Sequence, residues 1–200
     1  GSTSNTSYTN SSLATNKIYS YTVKAKDARG NVSAESNKMY AARSTSLFTY
    51  TEYYDGSLGI ATYKGTGKNV IVPAMIGGKA VTHIGENAFR GRNITSIILP
   101  DSVTYIAMRA FNECSSLTSV TLPANLDRIR YWSFFGCSSL TSITLPDSLT
   151  WIEDDAFYGC STLGNVTIPD SVTTIEGGAF MNCSSLVSAT LPEGLTEIED

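Results

Sequence analysis

Residues 117–139 read LTSVTLPANLDRIRYWSFFGCSS, residues 140–162 read LTSITLPDSLTWIEDDAFYGCST and residues 163–185 read LGNVTIPDSVTTIEGGAFMNCSS. These are three versions of one line. Pro100, Pro123, Pro146, Pro169 and Pro192 fall 23 residues apart, and Cys114, Cys137, Cys160 and Cys183 keep the same step. So do Phe111, Phe134, Phe157 and Phe180. A repeat of 20–29 residues with Leu at strand spacing is one coil of a solenoid. A single coil cannot bury its apolar face alone, so neighbours must stack. Stacking sets Leu117 on Leu140 on Leu163 on Leu186, and Ile106, Ile129, Ile152 and Ile175 form a second column.

Within the unit, Leu117 to Leu122 reads as a short parallel strand. Pro123 ends it, because proline has no N–H for the ladder. The Ala110-Phe111 to Cys114 segment reads as a single helical turn whose Phe fills the core. Working outward, Val81, Ile84, Ala88, Phe89 and Ile94 fit a degenerate first copy, with Arg92 at the Cys position and one residue missing. The fold expected is mainly β: a leucine-rich-repeat solenoid of ~23-residue coils with parallel strands and short helical turns, carrying an N-terminal β cap and partial sandwich strands.

The repeat closely resembles the BspA-like family of leucine-rich repeats over roughly residues 46–200. The segment FTYTEYYDGSLGIATYKGTGKNVIVP, from Phe48 to Pro73, resembles the β-rich entry of that family, with Asp55-Gly56 as a hairpin turn. The resemblance implies a surface or secreted protein, mostly of host-associated bacteria and also of some protists, and some members are adhesins for host matrix proteins.

Residues 1–43 do not fit the repeat. TSYTNSSLATNKIYSYTVKAKDARGNVSAESNK resembles the last strands of a fibronectin type III domain. Tyr19, Tyr21, Val23 and Ala25 alternate as a half-buried strand does. Leu13 and Tyr19 have the spacing of that fold's tyrosine corner, and Asp27 to Asn31 reads as a hairpin turn. Two strands packed on the solenoid cap is the alternative arrangement. The organisation expected is 1–43 sandwich strands, 46–80 cap, and 81–200 about five repeats, with a boundary near 41–45.

Composition narrows the function. Charged residues make up 16% and the net charge is −4. That is below the usual fraction of roughly a quarter, and Ser, Thr and Tyr supply the polar surface instead. With no basic run, nucleic acid is not an expected partner. No apolar stretch approaches ~18 residues, so no membrane insertion is expected of this chain. No nucleophile motif accompanies the single histidine, His83, which reads as a solvated surface residue, so no catalytic residue is assigned. The cysteines lack Cys-x-x-Cys pairs and read as buried apolar packers. Lys64-Gly65-Thr66-Gly67-Lys68 lacks both phosphate-loop patterns. Glu153, Glu176 and Glu199 form an acidic column that reads as solvated, with Arg130 placed to pair with Glu153. No cofactor or metal is expected.

The strand-exposed positions are monotonous: Ser119, Thr121, Ser142, Thr144, Asn165, Thr167, Ser188, Thr190. The x of V-T-x-I instead varies as His83, Tyr105, Arg128, Trp151, Thr174, Glu197, with Met108, Arg109, Tyr131 and Trp132 just beyond. Both tryptophans of the chain lie in this zone. Tyr, Trp and Arg are the residues enriched at binding hot spots. Tyr105, Arg128, Trp151, Tyr131 and Trp132 therefore form the candidate partner-binding ridge, for an extracellular protein such as host matrix, or a glycan. A bland alternative has Arg128 sandwiched between two rings purely for packing. The rival functions are an accessory region of a larger secreted enzyme and a spacer.

Overall fold

A computed structural model describes residues 14, 17–36, 38–42 and 46–198. Among them are sixteen strands and no helix. In chain order these are β1 Ile18–Tyr21, β2 Met39–Ala42, β3 Phe48–Glu52, β4 Leu58–Tyr63, β5 Asn69–Ile71, β6 Met75–Ile76, β7 Lys79–Ile84, β8 Ser96–Ile98, β9 Tyr105–Ile106, β10 Ser119–Thr121, β11 Arg128–Ile129, β12 Trp151–Ile152, β13 Asn165–Thr167, β14 Thr174–Ile175, β15 Ser188–Thr190 and β16 Glu197–Ile198.

About six coils stack into the expected solenoid, and each coil makes three passes. The first pass builds a front ladder of parallel strands, β5-β8-β10 and then β13-β15. The second pass pairs β7 with β9, and then runs β11-β12-β14-β16. β5 pairs with β8 through Val70↔Ile97, so the front strand of the first coil lies inside the segment read as cap. The hairpin β6-β7 interrupts that coil before its second pass.

The third pass departs from the expected helical turn. Its amides alternate between two kinds of partner. Asn112 and Cys114 donate three residues back, to the carbonyls of Arg109 and Phe111. Arg109, Phe111 and Glu113 donate instead to the next coil, at Tyr131, Ser133 and Phe135, over 3.0, 2.9 and 2.7 Å. Left-handed residues make this alternation possible. Arg109 (φ 58°) and Glu113 (φ 59°) are matched one coil on by Trp132 (φ 57°) and Gly136, and again by Asp155 (φ 51°) and Gly159. A left-handed residue every fourth position stops a helix propagating. It turns those N–H groups outward, where the neighbouring coil satisfies them.

The core is a set of one-residue columns. Phe89, Phe111, Phe134, Phe157 and Phe180 stack with ring centroids 5.1–5.3 Å apart. Phe48 and Tyr63 of the β3–β4 hairpin cover the open face of Phe89. The four cysteines are free and buried, as their column implied. Each thiol also donates to the Phe carbonyl of the preceding coil, from Cys114 to Phe89 through Cys183 to Phe157. Burial pushes the Cys114 thiol up to about 12 and the Cys137 thiol well above its ordinary value. One position breaks the pattern. Ser133 stands in the column of Ala88, Ala110, Ala156 and Ala179, fully buried with an unpartnered hydroxyl.

At the N-terminal end, β1 and β2 pair antiparallel, and β2 continues parallel to β6. The two strands therefore extend the sheet of the cap. The Asp27 turn forms as expected: its carboxylate accepts from the amides of Arg29 and Asn31, and Gly30 takes φ 91°. The Asp55-Gly56 turn forms likewise, with Gly56 at φ 80°. The predicted Leu13 of the tyrosine corner, the boundary residues Arg43 to Thr45, and Glu199 of the acidic column lie outside the described residues.

Candidate binding ridge

The second pass carries the first row of candidate residues, because alternate residues of a two-residue strand point one in and one out. Ile106, Ile129 and Ile152 point into the core, while Tyr105, Arg128 and Trp151 point out. Arg128 and Trp151 are direct register partners. The Arg128 guanidinium lies 4.4 Å from the Trp151 ring centroid, within cation–π range. Tyr105 is held differently. Its ring is covered by Arg130, also at 4.4 Å, and not by Arg128. Arg128 is therefore not sandwiched between two rings. Glu153 sits between the arginines and pairs with Arg130 at 3.2 Å, as its position suggested, and with Arg128 at 3.9 Å. Its other oxygen accepts the Tyr131 amide at 3.0 Å. The Trp151 indole donates to Glu176 at 2.6 Å.

His83 corrects an expectation. It is half-buried, not solvated, with its ring between Tyr53 at 4.4 Å and Tyr105 at 5.3 Å. Burial lowers its pKa below 6.5, against a smaller opposing pull from the Asp55 charge. The ridge thus begins on the cap, with Tyr53, and runs through His83 and Tyr105 toward Trp151.

The third pass carries a second row. Tyr131 stacks on Trp132 at 4.9 Å, Trp132 meets Phe135 at 4.8 Å, and Phe135 stacks on Tyr158 at 4.8 Å. Arg109 covers this strip from the preceding coil, 4.8 Å from the Trp132 ring and 5.6 Å from Tyr131. It also faces Glu86 at 3.7 Å. The Trp132 indole donates to Asp155 at 3.0 Å. Arg109, Trp132 and Asp155 are all in the left-handed region. Holding non-glycine residues there costs on the order of 1–3 kcal/mol each, and packing must offset it.

All five predicted ridge residues therefore lie on these two adjacent rows. The structure links Arg128 with Trp151 and Tyr131 with Trp132, and reaches Tyr105 through Arg130. Sequence reasoning missed Phe135 and Tyr158. They are 23 residues apart, so the repeat period was the signal that could have found them. Among the described residues, no three His, Cys, Asp or Glu side chains converge as metal ligands. None of those residues forms a helix long and apolar enough to cross a membrane.

The family described as BspA type leucine-rich repeat region matches residues 82–200 in six copies. The structure is similar to that of a T. pallidum leucine-rich repeat protein, with 31% identity and a TM-score of 0.66, over 74% of this chain and 81% of that one. It is also similar to a leucine-rich cell surface protein of Faecalibacterium prausnitzii, with 29% identity and a TM-score of 0.64. That likeness covers 75% of this chain but 41% of the Faecalibacterium protein. A leucine-rich-repeat protein of Eubacterium ventriosum shares the fold, with a TM-score of 0.57 at 24% identity, over 80% of this chain and 50% of that one. Among curated proteins none matches.

Proposed function

We propose, from the premise that this chain belongs to the BspA-type leucine-rich-repeat family, that it is a non-catalytic binding module of an extracellular or cell-surface protein. Its partner is a host or neighbouring-cell surface protein, and the two-row ridge is the contact. One observation carries the reading. Side-chain diversity is concentrated on one aromatic and cationic band, while the front face repeats Ser and Thr. Rings fixed by stacking and by indole–carboxylate hydrogen bonds lose little entropy when a partner docks, which favours affinity. The F. prausnitzii neighbour is itself a cell surface protein, which agrees with an exported location.

The test is binding of the chain to immobilised matrix proteins and to a glycan array, with the Tyr105→Ala/Trp151→Ala double variant as control. Binding to a protein that the double variant loses, by roughly tenfold or more in Kd, is the expected result. Protein binding unchanged by the substitutions removes the ridge from the reading.

A second reading is an accessory, carbohydrate-binding region of a larger secreted enzyme. The strip Tyr131–Trp132–Phe135–Tyr158 favours it, since flat rings beside carboxylates suit sugar stacking. Binding confined to glycans selects it. The N-terminal strands fit the spacer role of a type III-like domain end. The Tyr19 hydroxyl accepts the Ala14 amide at 3.0 Å, a bond of the kind a tyrosine corner makes.

A further inference from the structure

Both ladders break at the same short segment of chain. On the front, β10 pairs back to β8, but no pairing joins it forward to residues 142–144. In the second pass, β11 pairs forward to β12, but no pairing joins it back to β9. The regular coil-to-coil bonds show what is missing. Thr104 donates to Thr82 and Ala107 to Ile84, and two coils on Thr150 donates to Asp127 and Glu153 to Ile129. The corresponding amides of Asp127 and Arg130 make no such bond to Thr104 and Ile106. No front or second-pass strand before Leu122 pairs with one after Asp127.

The sequence also changes at this place. Three units read Pro-Asp-Ser at the corner between passes, and in each the Ser hydroxyl straps that coil to the preceding one; the unit at Pro192 reads Pro192-Glu193-Gly194 and keeps its second-pass pairing without a strap. Ser102 donates to the Val81 carbonyl at 2.8 Å, Ser148 to Leu126 at 2.7 Å and Ser171 to Leu149 at 2.6 Å. This unit reads Pro123-Ala124-Asn125, and Val103 receives no strap. A cleft of about 430 Å³ opens on the front between the unpaired stretches, lined by Val120, Leu122, Thr144 and Leu145 among others.

We propose that the solenoid is articulated at residues 122–127. Two blocks, one ending at β10 and one starting at β11, flex about the third pass as a hinge. That pass is continuous across the break, through the amides of Arg109, Phe111 and Glu113. Phe111 on Phe134 at 5.1 Å and Cys137 on the Phe111 carbonyl lie along the same axis. Arg130 over Tyr105 and Arg109 over Trp132 are side-chain staples across the gap. They are weaker than a ladder and can be remade. The geometry of the ridge is thereby adjustable. The articulation itself is independent of what the ridge binds.

Two measurements on the whole chain test it. In amide hydrogen exchange, Asp127 and Arg130 exchange roughly tenfold or more faster than Thr150 and Glu153, because local opening exposes them. Asn125→Ser, which returns the strap, slows them by a similar factor. Equal protection of the two pairs in the wild-type chain overturns the proposal. Electron–electron distance distributions come from spin labels at Thr104 and Thr173, which span the break on the second pass. They are compared with labels at Ser115 and Ser184 beside the hinge. The first pair gives the broader distribution, and Arg130→Ala broadens it further. A first-pair distribution as narrow as the second, in the wild-type chain, also overturns the proposal. The Arg130 variant keeps the test open should Asn125→Ser fold poorly.

Discussion

His83 is the chain's only histidine, so its titration reports one place without ambiguity. It sits between Tyr53 and Tyr105, and loss of hydration favours the neutral ring. Its folded pKa is therefore below the unfolded value of about 6.5. The stability this contributes is fully present above that value. It is lost as pH falls toward the lowered folded pKa, because the unfolded chain takes up the proton first. An NMR titration of the imidazole should give a midpoint below 6.5, and Tyr105→Ala should move it upward by rehydrating the ring. A midpoint at or above 6.5 in the wild-type chain would contradict the sandwich. The sequence showed that His83 occupied an outward position, but not that rings from the cap and the next coil would close over it. Outward from a strand is not the same as solvated when the neighbouring columns carry tyrosine.

At the scale of the element, the third pass is where expectation and structure part. Ala-Phe-x-x-Cys has the spacing of a helical turn, and the i to i−3 bonds are present. The helix fails because two residues in each coil are left-handed, and the sequence marks that only partly. Gly136, Gly159, Gly178 and Asn182 are the permissive types. Arg109, Glu113 and Trp132 are not, and nothing in their identity announces φ near 58°. Gly178 shows how tightly the row is fitted. It has φ 65°, and a Cβ added there would run into the Asp155 carboxylate, the same group that accepts the Trp132 indole. Gly178→Ala should cost about 1–2 kcal/mol of stability in urea unfolding, the left-handed penalty, and should displace Asp155 and alter Trp132 fluorescence. Unchanged stability and emission would mean that the row tolerates slack.

Over the whole molecule, stability should behave as a sum of coils and coil interfaces, because each coil touches only its neighbours. The interior columns are sealed until the last described coil. There Leu191 and Ile198 are 49% and 60% exposed, where Ile168 and Ile175 one coil earlier are 2% and 5% exposed. Amide protection should fall from the unit at 140–162 to the unit at 186–198 by roughly tenfold or more, since opening free energies are lowest where few contacts bury the backbone. Uniform protection across both units would refute this one-dimensional account. Charge is distributed along the same axis. No Lys or Arg follows Arg130, whereas carboxylates continue to Asp200. The basic members of both rows, Arg109, Arg128 and Arg130, are thus confined to the coils nearest the break.

The sequence by itself determined the period, the solenoid, the buried Phe, Cys and Ile columns, and which surface positions vary. Repetition does this: a residue recurring every 23 positions must stack on its own copies, so pattern becomes geometry without a tertiary search. Only the tertiary structure decided that Arg130 and not Arg128 covers Tyr105, that Phe135 and Tyr158 extend the aromatic strip, and that both ladders part between Leu122 and Asp127. Those outcomes depend on the fine spacing between coils and on backbone dihedrals. The chain sets these by packing all its columns together, and no single repeat encodes them.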